Sequence, residues 1–389
     1  MYPMEIFARK KKTLRLDEVT KLLGDLRIPT ALVFTPTNLE AEKKKFFNSE
    51  IYNPVFEYRI VKNNNKEILK KLSNVKEIVD VDPRISDFYL QLIDSKKEAS
   101  DLMYAVGNNE EVTDISVHRY GKPSDKLFRN AARVLRGKLD NYNVVKEDDI
   151  NRRKILYHDD IEKVFDITFR ELGLDGWTVN ESANISKNGI KLGIKRKEIL
   201  VDSNIERSNF KLRKTLVHEV GTHALRAENG MKCGFNALSN ANLPEYLDVE
   251  EGLATWNESN MGLLTEKWLK NKAALTWAVY LGEDLSFREL YNVLLAVLPK
   301  YSAFDVTYSV KRGLGDTHDR GIYCKDIAYF RGFRKVKKKL EENPRLYNQL
   351  YAGKITFKQC EWVEDGLLPM PNNVPNKDKW LEIFEKAGI

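Results

Sequence analysis

Leu216-Val217-His218-Glu219-Val220-Gly221-Thr222-His223, running on into Ala224-Leu225-Arg226-Ala227-Glu228-Asn229-Gly230, is the stretch on which the reading of this chain turns. As a pattern it is H-E-x-x-x-H. The common zinc-peptidase pattern is H-E-x-x-H, with two histidines four positions apart on one helix face. Here the spacing is one residue longer. In a regular α-helix, positions i and i+4 lie about 40° apart around the axis, whereas i and i+5 lie about 140° apart. Imidazoles so divergent cannot hold one ion. The spacing therefore predicts a helix that absorbs an extra residue as a π-bulge. Gly221 lies inside it and makes the distortion cheap.

An open catalytic zinc site needs a third ligand. Downstream lies Leu247-Asp248-Val249-Glu250-Glu251-Gly252-Leu253-Ala254-Thr255-Trp256. Its apolar positions continue a helical pattern, so a carboxylate from a second helix can complete a His/His/Glu set. Glu250 and Glu251 are rivals, because neighbours on a helix point about 100° apart. The loser can hydrogen-bond a ligand histidine from behind. Glu219, beside the first histidine, is placed to take a proton from a water activated by the metal. His118, His158 and His318 have no comparable partners.

Working outward, Asp159 to Leu172 reads as an amphipathic helix stopped by Gly173. Short β-like runs follow at Trp177–Val179, Ile190–Ile194 and Ile199–Val201, with Asn188-Gly189 as a hairpin signal. The motif helix is expected over about Asn209–Arg226, with Asn229-Gly230 as its stop. Upstream, Asp17–Leu26, Leu39–Phe47 and residues 83–106 read as helices, and Ala31–Phe34 as a strand. Ser124 caps a helix running to Arg136. The polar stretch 145–152 (VKEDDINR) is a soft boundary.

The 389-residue chain is long enough for a large core, and its 42% hydrophobic content is globular. A net charge of +7 is modest for this length. It suits an acidic peptide partner without requiring nucleic acid. No apolar leader begins the sequence, and no run approaches a membrane span. Cys233, Cys324 and Cys360 are widely spaced, as expected of reduced thiols in a cytoplasmic protein.

The motif and its surroundings resemble a family known by its "QEGLA" motif, which includes the microtubule-associated tyrosine carboxypeptidases. H-E-V-G-T-H followed by A-L-R-A-E-N-G and then E-E-G-L-A carries the resemblance. Pro36-Thr37-Asn38 with Glu42 and Phe46, Asn53-Pro54 with Phe56 and Tyr58, Tyr120-Gly121, Arg312-Gly313, and Lys325-Asp326 with Tyr329 and Gly332 extend it over roughly residues 20–345. Those enzymes remove the C-terminal tyrosine of α-tubulin. The resemblance implies Zn2+ held by His218, His223 and Glu251, with Glu219 as catalytic base. The second Glu of such a pair is also the zinc ligand in dipeptidyl peptidase III, which is similar only in this motif. Two residues depart from the family pattern: Glu250 stands where Gln is usual, and Cys324 stands where Thr is expected.

The expectation is an α+β fold. A zincin-like catalytic core would span 145–335, an N-terminal α/β region (1–144) would pack on it, and a helical tail (336–389) would close the chain. Tyr329 is the candidate oxyanion donor. Arg312 and Lys325 are candidate cations for a substrate carboxylate, and Glu250 the support behind a ligand. The substrate class is a peptide or protein C-terminal tail.

Overall fold

The computed structural model describes residues 12–146, 154–183, 185–240, 243 and 245–389. Most of the 145–152 boundary expected from the sequence lies outside them. The fold is mixed α+β, mostly helical with three small sheets.

The first part holds β1 (Lys12–Arg15), α1 (Leu16–Asp25), α2 (Thr30–Val33), α3 (Leu39–Phe47), α4 (Asn65–Leu72), β2 (Val75–Val79), α5 (Pro83–Tyr104), α6 (Asn109–Tyr120) and α7 (Asp125–Leu135). Strands β1 and β2 pair in parallel. Ser124 caps α7 by accepting from the Leu127 amide, as the sequence suggested. The run read as a strand at Ala31–Phe34 instead closes the single turn α2, with the Val33 and Phe34 amides bonded to the Pro29 and Thr30 carbonyls. Packing decided this. Val33 and Phe34 bury against Tyr323, whose ring stacks on Phe34 at 4.6 Å, and among the described residues no strand pairs with this run.

β3 (Ile155–Leu156) leads into α8 (His158–Leu172), which ends where Gly173 turns left-handed at φ 63°. β4 (Thr178–Glu181), β5 (Ile190–Gly193) and β6 (Glu198–Val201) form a sheet in the order β4-β6-β5. β4 runs parallel to β6 and β5 antiparallel to it. The hairpin is therefore β5–β6, turned at left-handed Lys197. Asn188-Gly189 makes a turn, but it joins strands that are not neighbours, so the expected hairpin is corrected.

β7 (Arg207–Ser208) pairs with β3 and opens α9 (Asn209–Thr215), capped by Ser208. The backbone then becomes a π-helix over Leu216–Ala224 before resuming as α10 (Leu225–Lys232). The helix does not stop at Gly230. A β-carbon there would lie 2.1 Å from the Leu238 carbonyl oxygen, so this glycine serves close packing inside the helix. Gly221 has the same duty, because its missing side chain admits the Trp380 ring, 2.2 Å from where a β-carbon would sit.

The remaining helices are α11 (Tyr246–Asn260), α12 (Glu266–Leu281), α13 (Phe287–Leu294), α14 (Lys300–Lys311), α15 (Ile327–Glu342), α16 (Leu346–Leu350), α17 (Cys360–Glu364) and α18 (Lys377–Lys386). One apolar cluster binds α8, the π segment, α11, the end of α15 and α18, through residues such as Phe165, Val217, Leu253, Val336 and Trp380. α11 and α15 cross at glycines. A β-carbon on Gly252 would lie 2.4 Å from the Gly332 carbonyl, and one on Gly332 would lie 2.1 Å from the Asp248 carbonyl. No helix among the described residues is long and apolar enough to cross a membrane.

Gly252→Ala forces α15 away from α11. It is expected to destabilise the protein by about 1–3 kcal/mol, read as a lowered urea midpoint at unchanged slope.

Candidate metal centre

A π-helix bonds its backbone from i to i+5, so residues five apart stack along one face. His218 and His223 are such a pair. Their rings lie 4.9 Å apart, centroid to centroid, at 79°. Across from them, Glu251 on α11 places its carboxylate 3.6 Å from His218 Nε2 and 4.0 Å from His223 Nε2. One ligand atom from each of the three residues lies within 4.8 Å of the others. Donors around a tetrahedral ion with bonds of about 2.0 Å stand roughly 3.3 Å apart, so the cluster is near that spacing. Two imidazoles and a carboxylate suit a divalent transition metal. The three side chains keep 16%, 12% and 15% of their surface exposed, which leaves one side open to a substrate.

The other ring nitrogens are held from behind. His218 Nδ1 is 2.7 Å from Glu258, and His223 Nδ1 is 2.7 Å from Glu250. Each carboxylate fixes the ring so that Nε2 faces Glu251. Both are nearly sealed from solvent, and each has its own cations. Lys214 Nζ is 3.2 Å from Glu258. Arg226 and Lys354 both bond Glu250. Arg226 is fully buried, and its remaining donors go to the carbonyls of Leu350, Gly353 and Ile355. Burial works against charge on Glu250, but Lys354, Arg226 and His223 outweigh it and hold the carboxyl well below its usual range. The Glu at this position, where the resembled family usually has Gln, is thus a compensated charge. Burial likewise opposes charge on Glu251, and the two imidazoles overcome it.

Glu219 lies on the same π turn, half-buried and free of hydrogen bonds from described residues, and its charge acts on His218, Arg207 and Tyr329. Tyr329, on the first turn of α15, stands close to Glu251. That negative charge, and then burial, push its hydroxyl above the ordinary phenol range, so it stays protonated. Arg312 Nη2 holds both oxygens of Asp326 at 2.9 Å. Lys325 lines a separate cavity of about 110 Å3 with Tyr120, Asp248 and Arg331. Cys324 is fully buried, and burial pushes its thiol up to about 12, so it is an inert core residue.

Sequence reasoning missed Glu258, Lys214, Arg226, Lys354 and Lys272. Glu258 carried a signal, since it lies seven positions after Glu251 and so on the same helix face. Arg226 lies three after His223. Lys354 comes from a distant loop and has no local signature.

Fold and site together describe a mixed α+β protein with a partly buried His–His–Glu cluster where a π-helical turn meets a second helix. More narrowly, this chain belongs to the microtubule-associated tyrosine carboxypeptidase family, whose model matches residues 44–382. It is similar to human MATCAP2, 24% identical over 180 residues, which are 44% of this chain and 34% of that protein. It is also similar to mouse microtubule-associated tyrosine carboxypeptidase 1, 25% identical over 177 residues, covering 44% of this chain and 37% of that protein. The rat protein of that name is 21% identical over 374 residues, 93% of this chain and 68% of its own length. The match thus spans about a third of the human and mouse relatives.

Arg226→Met removes one of two cations from buried Glu250 and leaves three carbonyls short of a donor. The expected loss is about 3–5 kcal/mol, measured by chemical denaturation.

Proposed function

We propose that this protein is a zinc-dependent carboxypeptidase with a zincin-like core. The observation that carries the reading is the π segment Leu216–Ala224, which lets His218 and His223 present Nε2 atoms to one carboxylate despite their five-residue spacing. His218, His223 and Glu251 would hold Zn2+, which supplies a Lewis acid that polarises a peptide carbonyl and acidifies water. Glu219 accepts the proton of the attacking water and returns it to the leaving amine nitrogen. Tyr329 keeps its proton and donates to the oxygen that gains charge at the scissile carbonyl. Glu258 and Glu250 orient the two imidazoles. Arg312, though held by Asp326, and Lys325, on a neighbouring cavity, add positive charge on this side of the protein.

The names of the relatives support a C-terminal tyrosine as the residue removed, from a peptide or protein tail in the cytoplasm. The net charge of +7 suits an acidic tail.

Elemental analysis of the purified protein should find one zinc per chain, lost together with activity on chelation and restored by Zn2+. Peptides with a free C-terminus should be cut and their C-terminally amidated forms spared. Equal cleavage of both would point to a different amide hydrolase. Glu219→Gln should abolish turnover while retaining the metal, and full activity in that variant would refute its role as base. Glu258→Gln should keep the fold and lower zinc affinity by about 10- to 100-fold, read by competition with a chromophoric chelator.

A further inference from the structure

The cations around the cluster are nearly all engaged. Lys214 is ion-paired with Glu258, Arg226 and Lys354 are bonded to Glu250, and Arg312 to Asp326. Arg207 donates to Thr215 and to the Asn188 carbonyl. Lys272 differs. It projects from α12, which packs beside α15, and its Nζ lies 3.9 Å from the centroid of the Tyr329 ring and 5.7 Å from that of Trp268. An aromatic face holds a cation without using its N–H donors. No oxygen of a described residue accepts a hydrogen bond from Lys272 Nζ, and none donates to or accepts from the Tyr329 hydroxyl. Two strong hydrogen-bonding groups thus sit together, unused, beside Glu251.

Lys272 sits among charges of both signs. Asp326 and Glu251 attract Lys272 from beyond bonding distance, while Arg312 and Lys214 add positive potential. Neither the Lys272 ammonium nor the Tyr329 hydroxyl is sealed from solvent, so both are open to a ligand. In a carboxypeptidase the terminal carboxylate is only a few bonds from the scissile carbonyl, so its cation must stand next to the metal cluster. Lys325 lines a separate cavity that includes none of the three cluster residues, and Arg312 is committed to Asp326.

We infer that Lys272, held over the Tyr329 ring, is the anchor for the free α-carboxylate of the substrate's last residue. The inference rests on the carboxypeptidase reading. In the bound state the ammonium donates to the carboxylate, while the Tyr329 hydroxyl remains free for the scissile carbonyl. The anchor makes a free C-terminus a requirement.

Binding separates this inference from the hydrolytic reading. The Glu219→Gln protein is titrated calorimetrically with an N-acetylated peptide ending in tyrosine, as free acid and as amide. The acid is expected to bind more tightly by about 10- to 100-fold. Adding Lys272→Met should erase that preference by weakening the acid alone, and Lys272→Arg should restore part of it. In otherwise native protein, Lys272→Met should raise KM for the acid peptide far more than it lowers kcat. Thermal melts matching the parent protein exclude a folding defect, and Lys272→Arg serves as the folded control. An acid preference that survives Lys272→Met overturns the anchor and leaves the carboxypeptidase reading intact. A preference that vanishes with Lys272, in a protein that hydrolyses neither peptide, upholds the anchor and overturns the hydrolytic reading.

Discussion

Everything at this site depends on two imidazoles, five residues apart, turning toward one carboxylate. Only a widened helical turn permits this, and the π segment is held open by its packing. Leu216, Val217, Val220 and Ala224 are all fully buried in the main apolar cluster, and Trp380 presses into the space left by Gly221. A π turn is intrinsically less favourable than an α turn, so burial of this apolar face offsets the distortion. A second layer then fixes the rings, through Glu258 behind His218 and Glu250 behind His223. Charges alternate outward from the cluster, with Lys214 behind one carboxylate and Arg226 with Lys354 behind the other. A buried carboxylate is tolerated only with such partners.

The groups facing the histidines follow from the α11–α15 crossing. Gly252 and Gly332 let the two backbones approach, which brings Tyr329 beside Glu251. α12 lies against α15 and delivers Lys272 to the same place. A glycine that looks like a helix-weakening residue in the E-E-G-L-A segment therefore sets how closely α15 and its Tyr329 approach α11 and Glu251. The C-terminal helix α18 is equally involved, because its Trp380 meets the π segment directly.

Much of the site could be read from residue order. His218, Glu219 and His223 suggested a metal-binding helix with an anomalous spacing, and that spacing demanded the π distortion found there. Ser124 and Gly173 marked helix ends correctly, because capping and left-handed turns depend on local chemistry. The misreadings share a cause. Ala31–Phe34 resembles a strand until its contact with Tyr323 is known. Asn188-Gly189 resembles a hairpin turn until β6 is seen between β4 and β5. Gly230 resembles a helix stop until the Leu238 carbonyl is found against it.

The sequence by itself determined the donor types, their spacing and the distortion that spacing requires, because these follow from helix geometry over a few residues. Tertiary structure alone decided which glutamate faces the histidines, which cations neutralise Glu250 and Glu258, and why Lys272 is left with unused donors. Those outcomes depend on contacts between helices far apart in the chain, where burial and pairing of charge, rather than local order, select the arrangement.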